Sequence, residues 1–260
     1  MFRPRSGRQK GQSLNRFIPN ILTMSALCAG FTALRFGIED RFEPAVMSLV
    51  IAAVFDMLDG RIARMLGQSS RFGAELDSLS DFLCFGIAPA TLLYLWSLQH
   101  AGAIGWVVTL FFGVCCALRL ARFNTDLEAP LLPPWAKNYF TGVPSPAGAN
   151  LVLSSMILSF QVDWPWLRDP SLVAALLVIV GALLVSRVPT YSFKNLRVPH
   201  RFALFMMLGV ALIAALVVVA PWATLSLITA IYIILMPFGW RSFYRLKREA
   251  AGFQAAQPNQ

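Results

Sequence analysis

Charge is scarce in this 260-residue chain: Asp, Glu, Lys and Arg make up 13% of it, where soluble domains carry about 25%. Apolar residues reach 57%, and mean hydropathy is +0.62. That is too apolar for a soluble core of this size, so the expected solvent is a bilayer. Histidine is nearly missing, with two residues, His100 and His200, neither placed beside an acid that would make it catalytic. The four cysteines, Cys28, Cys84, Cys115 and Cys116, show no C-x-x-C spacing and lie in apolar stretches, so they read as small buried groups. The N-terminus lacks the short apolar core and cleavage site of a signal peptide, and its first apolar run is expected to stay as a span.

Acids are outnumbered by bases 13 to 22, for a net charge of +9. A basic excess can mark a nucleic-acid partner. Here the bases are confined to short segments between long apolar runs, which fits membrane orientation and anionic phospholipid and excludes nucleic acid. A spanning helix needs roughly 20 mostly apolar residues. Eight segments are expected to qualify, near residues 18–37, 44–66, 74–98, 102–124, 145–161, 171–188, 202–220 and 222–240. If they alternate, 19 of the 22 bases fall on one side, and the positive-inside rule puts both termini there, in the cytoplasm. Residues 1–16 form a basic segment and residues 241–260 a basic tail. Residues 201–240 read as a transmembrane hairpin turning at Ala220–Trp222. Trp96, Trp106, Trp164, Trp166 and Trp222 fall near outer ends and are expected to anchor the interface. The proline-rich stretch 125–144 is the longest interior loop.

Against this apolar background, four aspartates sit within residues 56–81. Each ionised Asp at mid-membrane costs on the order of 2.5–3.5 kcal/mol, so it needs a partner or a watery cavity. Asp56 and Asp59 are three apart and share a helix face; Asp77 and Asp81 are four apart and share a face of the next helix. Because a cytoplasmic turn joins the two helices, the pairs face each other near the cytoplasmic mouth. Carboxylates so arranged repel unless cations intervene, and all-oxygen ligation suits Mg²⁺ or Mn²⁺. Ion pairing with Arg61, Arg64 and Arg71 is the structural alternative. A divalent-cation path is another, although it would spread acids over several depths. Gly60, inside a helical pattern, implies close approach of a ligand or another helix, and Arg64 one turn on could hold a phosphate. Ser25/Ala29 and Ala26/Gly30 are small-x-x-x-small pairs suited to close helix packing.

The string DMLDGRIARMLGQSSRFGAELDSLSD (Asp56–Asp81) resembles the diagnostic motif of the CDP-alcohol phosphatidyltransferases, D-x2-D-G-x2-A-R-x8-G-x3-D-x3-D, without departure. The fixed positions are Asp56, Asp59, Gly60, Ala63, Arg64, Gly73, Asp77 and Asp81. That resemblance implies an all-α integral membrane fold with a six-helix catalytic domain, residues 17–200, extended by two C-terminal helices. It implies that Asp56, Asp59, Asp77 and Asp81 bind two divalent ions, Mg²⁺ or Mn²⁺, and that Asp81 is the base for the acceptor alcohol. Gly60, Arg64, Ser70 and Gly73 would line the CDP site with Asp56 and Asp59. Asn20 and Thr23 would join them, because Pro19–Asn20 with Thr23 resembles the family's PNxxT element. RLARFNT (Arg119–Thr125), FTGVPSPAGA (Phe140–Ala149) and VSRVPTYSFK (Val185–Lys194) are similar to the membrane-integral phosphatidylserine synthase branch. Membership there implies CDP-diacylglycerol and L-serine as substrates, a homodimer, and a bacterial-type inner membrane with the site facing the cytoplasm. Arg119, Arg122 and Lys194 are the candidates for the serine carboxylate. Glycerol 3-phosphate, inositol phosphate or choline would be the other acceptors for the same chemistry.

Overall fold

In the computed structural model, residues 17–66, 70–127, 139–186, 189–191 and 203–236 are described. Lys194, His200, the N-terminal segment and the basic tail lie outside the described residues. Helix α1 (Ile18–Ile38) opens with Pro19, whose fixed φ and missing N–H suit the first helical turn. Asp40, at φ 57°, makes the turn into α2 (Phe42–Met65), and Asp is one of the few residues that tolerate the left-handed region. Ser70 caps α3 (Arg71–Asp81), accepting the Gly73 N–H at 2.9 Å. The chain then runs on through a π-helical stretch, Phe82–Ile87, into α4 (Ala88–Trp96).

A 3-10 turn and Gly102 lead to α5 (Gly102–Leu127), and α6 (Ser145–Ser159) follows the long loop. Asp169 caps α7 (Pro170–Val185) by accepting the Ser171 N–H, which holds its carboxyl below the ordinary carboxylate value. Last come α8 (Ala203–Val219) and α9 (Pro221–Met236), separated by Ala220 alone.

Within the described residues, each of the eight expected segments overlaps one of these helical stretches. Three of the described helical stretches are both long and apolar enough to cross a bilayer: Ile18–Ile38, Arg71–Trp96 and Leu98–Thr125. Pro170–Val185 and Pro221–Met236 are shorter apolar helices. The all-α expectation needs one amendment. Strands β1 (Tyr139–Thr141) and β2 (Pro189–Tyr191) pair antiparallel, with Phe140 opposite Thr190. Pro144 and Pro189 keep these flanks out of helix, and two extended loops brought together satisfy each other's backbone groups.

Small residues set the packing of α1. Ala26, Gly30, Ala33 and Gly37 are buried along one face, and a Cβ on Gly30 would lie 2.7 Å from Cys84 Sγ. The Cys84 thiol donates to the Ala26 carbonyl at 3.3 Å. Ala26 and Gly30 thus serve close contact within the chain, between α1 and the π-helical stretch. The tryptophans divide: Trp106, Trp164 and Trp166 are exposed, whereas Trp96 is buried under the Arg168 guanidinium. Arg168 also donates to the Trp96 carbonyl at 2.9 Å, so Trp96 packs in the core rather than anchoring an interface.

Gly142 joins β1 to α6 at φ 81°, and a Cβ there would stand 2.7 Å from the Leu184 carbonyl oxygen. Both the dihedral and the space demand glycine. Gly142→Ala is expected to lower stability by about 1–3 kcal/mol. The check is the temperature at which the detergent-solubilised protein loses its monodisperse peak, and an unchanged temperature would refute the role.

Candidate active site

The N-terminal half of α1, the C-terminal half of α2 and helix α3 bring the motif together. Oxygen atoms of Asp56, Asp59 and Asp77 lie within 4.8 Å of one another, Asp59 being buried and the other two half-buried. Spacing had placed four acids in this group. Asp81 stands beside the three, its carboxyl facing that of Asp56 at hydrogen-bonding range. One of its oxygens, Oδ1, is buried without a hydrogen-bond donor.

No cation among the described residues forms an ion pair with these acids. Among the described residues, ion pairs involve only Arg35, Arg41 and Glu39, at the opposite end of α1 and α2. Arg64 folds back along its own helix and donates to the Gly60 carbonyl at 2.8 Å. The ion-pairing alternative therefore fails. Three convergent carboxylates and an orphaned fourth oxygen, without a counter-charge, fit hard divalent cations.

Neighbouring groups hold the acids in place. The Thr23 hydroxyl donates to Asp59 Oδ2 at 2.5 Å, with the Pro19 carbonyl as a second acceptor at 3.1 Å. The PNxxT element thus reaches the aspartates directly. A Cβ on Gly73 would meet Asn20 Oδ1 at 2.9 Å and Ser70 Oγ at 3.0 Å, so Asn20, Ser70 and Gly73 form one small cradle. Glycine is needed there to make room for two polar side chains. At Gly60, by contrast, a Cβ would meet nothing within 4 Å among the described residues, so no described helix packs against it.

The two arginines proposed for the acceptor have different surroundings. Arg119 donates through Nε to the Val143 carbonyl and through Nη1 to Ser145 Oγ at 2.5 Å. Its guanidinium lies within electrostatic range of Asp81. Arg122 donates to the Val185 carbonyl at 2.8 Å and so caps the C-terminal end of α7, where a cation is favoured. Lys194 lies outside the described residues. The described parts of the three branch-specific segments therefore meet at one place, through Arg119, Val143, Ser145, Arg122 and Val185.

Several polar neighbours escaped the sequence. Asn124 donates to Ser78 at 3.0 Å and ties α5 to the helix that carries Asp77 and Asp81. Ser80, buried, donates to the Thr23 carbonyl at 3.4 Å. Asn124 and Ser145 fall inside the recognised segments, so their place in those strings was the available signal. An apolar cavity of about 290 Å³ adjoins the site. Its wall includes Ala53, one turn before Asp56, and Cys84, one turn after Asp81.

Comparison with known proteins agrees with this geometry. The family model described as CDP-alcohol phosphatidyltransferase matches residues 16–186, and one described as CDP-alcohol phosphatidyltransferase 2 matches residues 201–237. The chain belongs to the CDP-alcohol phosphatidyltransferase family, and it is an enzyme. Among curated relatives, the CDP-diacylglycerol–serine O-phosphatidyltransferase of Mycobacterium leprae is 37% identical over 236 residues, covering 91% of this chain and 77% of that protein. The protein of the same name from Mycobacterium tuberculosis is 36% identical over 227 residues, covering 87% and 79%. That of Helicobacter pylori is 32% identical over 222 residues, covering 85% and 90%.

Thr23 would act on a metal held by the aspartates through Asp59, since its hydroxyl fixes where that carboxylate points. Removing such an outer-shell partner commonly weakens metal binding 10–100-fold, so Thr23→Val is expected to raise the half-saturating Mn²⁺ concentration by about tenfold. Electron paramagnetic resonance titration of the solubilised protein measures this directly. Unaltered Mn²⁺ binding would mean that the hydroxyl has no part in shaping the site.

Proposed function

We propose that this chain transfers the phosphatidyl group from CDP-diacylglycerol to the hydroxyl of L-serine, giving phosphatidylserine and CMP. The observation that carries the reading is the convergence of Asp56, Asp59 and Asp77, with Asp81 beside them, in a chain related over most of its length to enzymes named for that reaction.

Asp56, Asp59, Asp77 and Asp81 would hold two divalent ions, Mg²⁺ or Mn²⁺, which when bound neutralise the diphosphate and the charge developing on CMP. Asn20, Thr23, Gly60, Arg64, Ser70 and Gly73 would receive the CDP moiety. The Asn20–Ser70–Gly73 cradle and the open space over Gly60 support that role. Asp81 takes the proton of the serine hydroxyl, and its orphaned Oδ1 is a ready acceptor. The serine oxygen then bonds to the lipid-linked phosphorus as the bond from that phosphorus to the CMP oxygen breaks. Arg119 binds the serine carboxylate, and Arg122 holds the surrounding loops. Positioning and fixed charge supply the catalysis, with no covalent enzyme intermediate required.

The acyl chains stay in the bilayer while serine arrives from water. The site therefore belongs at the cytoplasmic face of a bacterial-type inner membrane, with eight spans and both termini inside. The basic loops support that orientation. A homodimer is the working unit that the family resemblance implies.

Incubating membranes with CDP-diacylglycerol, Mg²⁺ or Mn²⁺, and each labelled alcohol in turn separates serine from glycerol 3-phosphate, inositol phosphate and choline. Label is expected in lipid with serine alone, and incorporation of another alcohol in its place would overturn the acceptor assignment. Asp81→Asn is expected to abolish serine-dependent CMP release while the protein still purifies as a folded species. Near-normal turnover in that variant would remove Asp81 as the base.

A further inference from the structure

Helix α9 lies outside the region matched by the first family model, yet it is fastened to the core along one stripe. Trp222 packs edge-on against Phe160, with ring centroids 4.8 Å apart. Gln161 donates to Ser226 Oγ at 2.8 Å, and Asn150 donates to Thr229 Oγ1 at 2.7 Å. Positions 222, 226 and 229 share a helix face, and their partners run from Phe160 and Gln161, just past α6, back to Asn150 within it, so the two helices are antiparallel. Position 232 is next on that face. Tyr232 therefore points inward, at the end of α6 where Ser145 bonds Arg119.

The Tyr232 hydroxyl is buried and has no hydrogen-bond partner. Buried phenols normally find one, so an orphan marks a place where a ligand group or water belongs. Only three such side-chain atoms occur among the described residues, and two of them belong to Tyr232 and Asp81, residues within electrostatic range of the same guanidinium, Arg119. Of the five N–H groups of Arg119, hydrogen bonds to Val143 and Ser145 engage two. Spare donors, an orphaned phenol and an orphaned carboxylate oxygen thus lie in the same region, around the end of α6 that Ser145 and Arg119 occupy. Together they match a small zwitterion that brings its own carboxylate and hydroxyl.

We propose that Tyr232 is a specificity-determining contact for the acceptor amino acid, its hydroxyl bonding the acceptor carboxylate beside Arg119. This rests on the serine-transfer reading above, and it gives the C-terminal helix pair a part in choosing the alcohol. Tyr232 also lines the 290 Å³ apolar cavity, so a contact to the lipid substrate is the competing occupant of the hydroxyl.

The test is full kinetics of the intact protein in lipid nanodiscs for wild type, Tyr232→Phe, Ser226→Ala and Thr229→Val. Loss of one hydrogen bond to a charged group is expected to raise the KM for serine about tenfold in Tyr232→Phe, with the KM for CDP-diacylglycerol unchanged. The other two variants loosen the α9 clasp without touching the acceptor, and they are expected to keep the wild-type serine KM. An unchanged serine KM in Tyr232→Phe overturns the proposal, as does a shift confined to CDP-diacylglycerol. An equal shift in the clasp variants overturns it too, because docking alone would then explain the effect. Wild-type protein without serine-dependent CMP release would instead sink the serine-transfer reading itself, so the two failures are told apart.

Discussion

Mutual repulsion of carboxylates governs this molecule. Asp56, Asp59 and Asp77 present oxygens within 4.8 Å of one another, Asp81 stands against Asp56, and a bilayer-embedded chain offers little water to screen them. Folding without a counter-charge stores that repulsion, and the surrounding structure has to hold it. Thr23 grips Asp59 from α1, Ser70 caps the helix that carries Asp77 and Asp81, and Asn124 clasps Ser78 from α5. The small face of α1 lets the three helices come close enough for these short side chains to reach. Packing in this region holds the four carboxyl groups together, the arrangement that a divalent cation would need.

The arginines make sense in the same terms. Arg64, Arg119, Arg122 and Arg168 each donate to a backbone carbonyl, those of Gly60, Val143, Val185 and Trp96. Any of the first three, turned toward the aspartates, would neutralise the charge that a metal needs. Binding them to carbonyls satisfies groups that a membrane interior cannot hydrate, and keeps Arg64 and Arg122 out of ion pairs with the acids. Arg119 alone does both, since it anchors the start of α6 and still faces Asp81.

Local spacing explains what was legible beforehand. Intervals of three and four put each aspartate pair on one helix face, and the short turn between them fixed their common depth, so the cluster could be read from 26 residues. The eight apolar segments were equally plain, because hydropathy acts over windows as long as a helix. The π-helical stretch after Asp81, the β1–β2 pairing and the partition of Arg119 from Arg122 were not. Each depends on segments far apart in the chain: Gly86 set against Cys116, Phe140 opposite Thr190, and Arg122 at the end of α7. Tyr232 was hidden for another reason. In an apolar helix a tyrosine looks like packing, and only its place on the docked stripe gives the hydroxyl a destination.

A division of labour follows from that contrast. Groups that would handle metal and CDP lie in one contiguous motif on α2 and α3, assisted by two residues of α1. Those proposed to surround the acceptor come from α5, the start of α6, the end of α7 and α9, elements far apart in the chain. A local motif tolerates change elsewhere, because its geometry is set by helical periodicity. A pocket assembled from four distant elements shifts when any one of them moves. In a family built on CDP-linked donors and differing alcohols, that arrangement lets the acceptor be changed by remodelling loops and a terminal helix while the aspartates stay as they are.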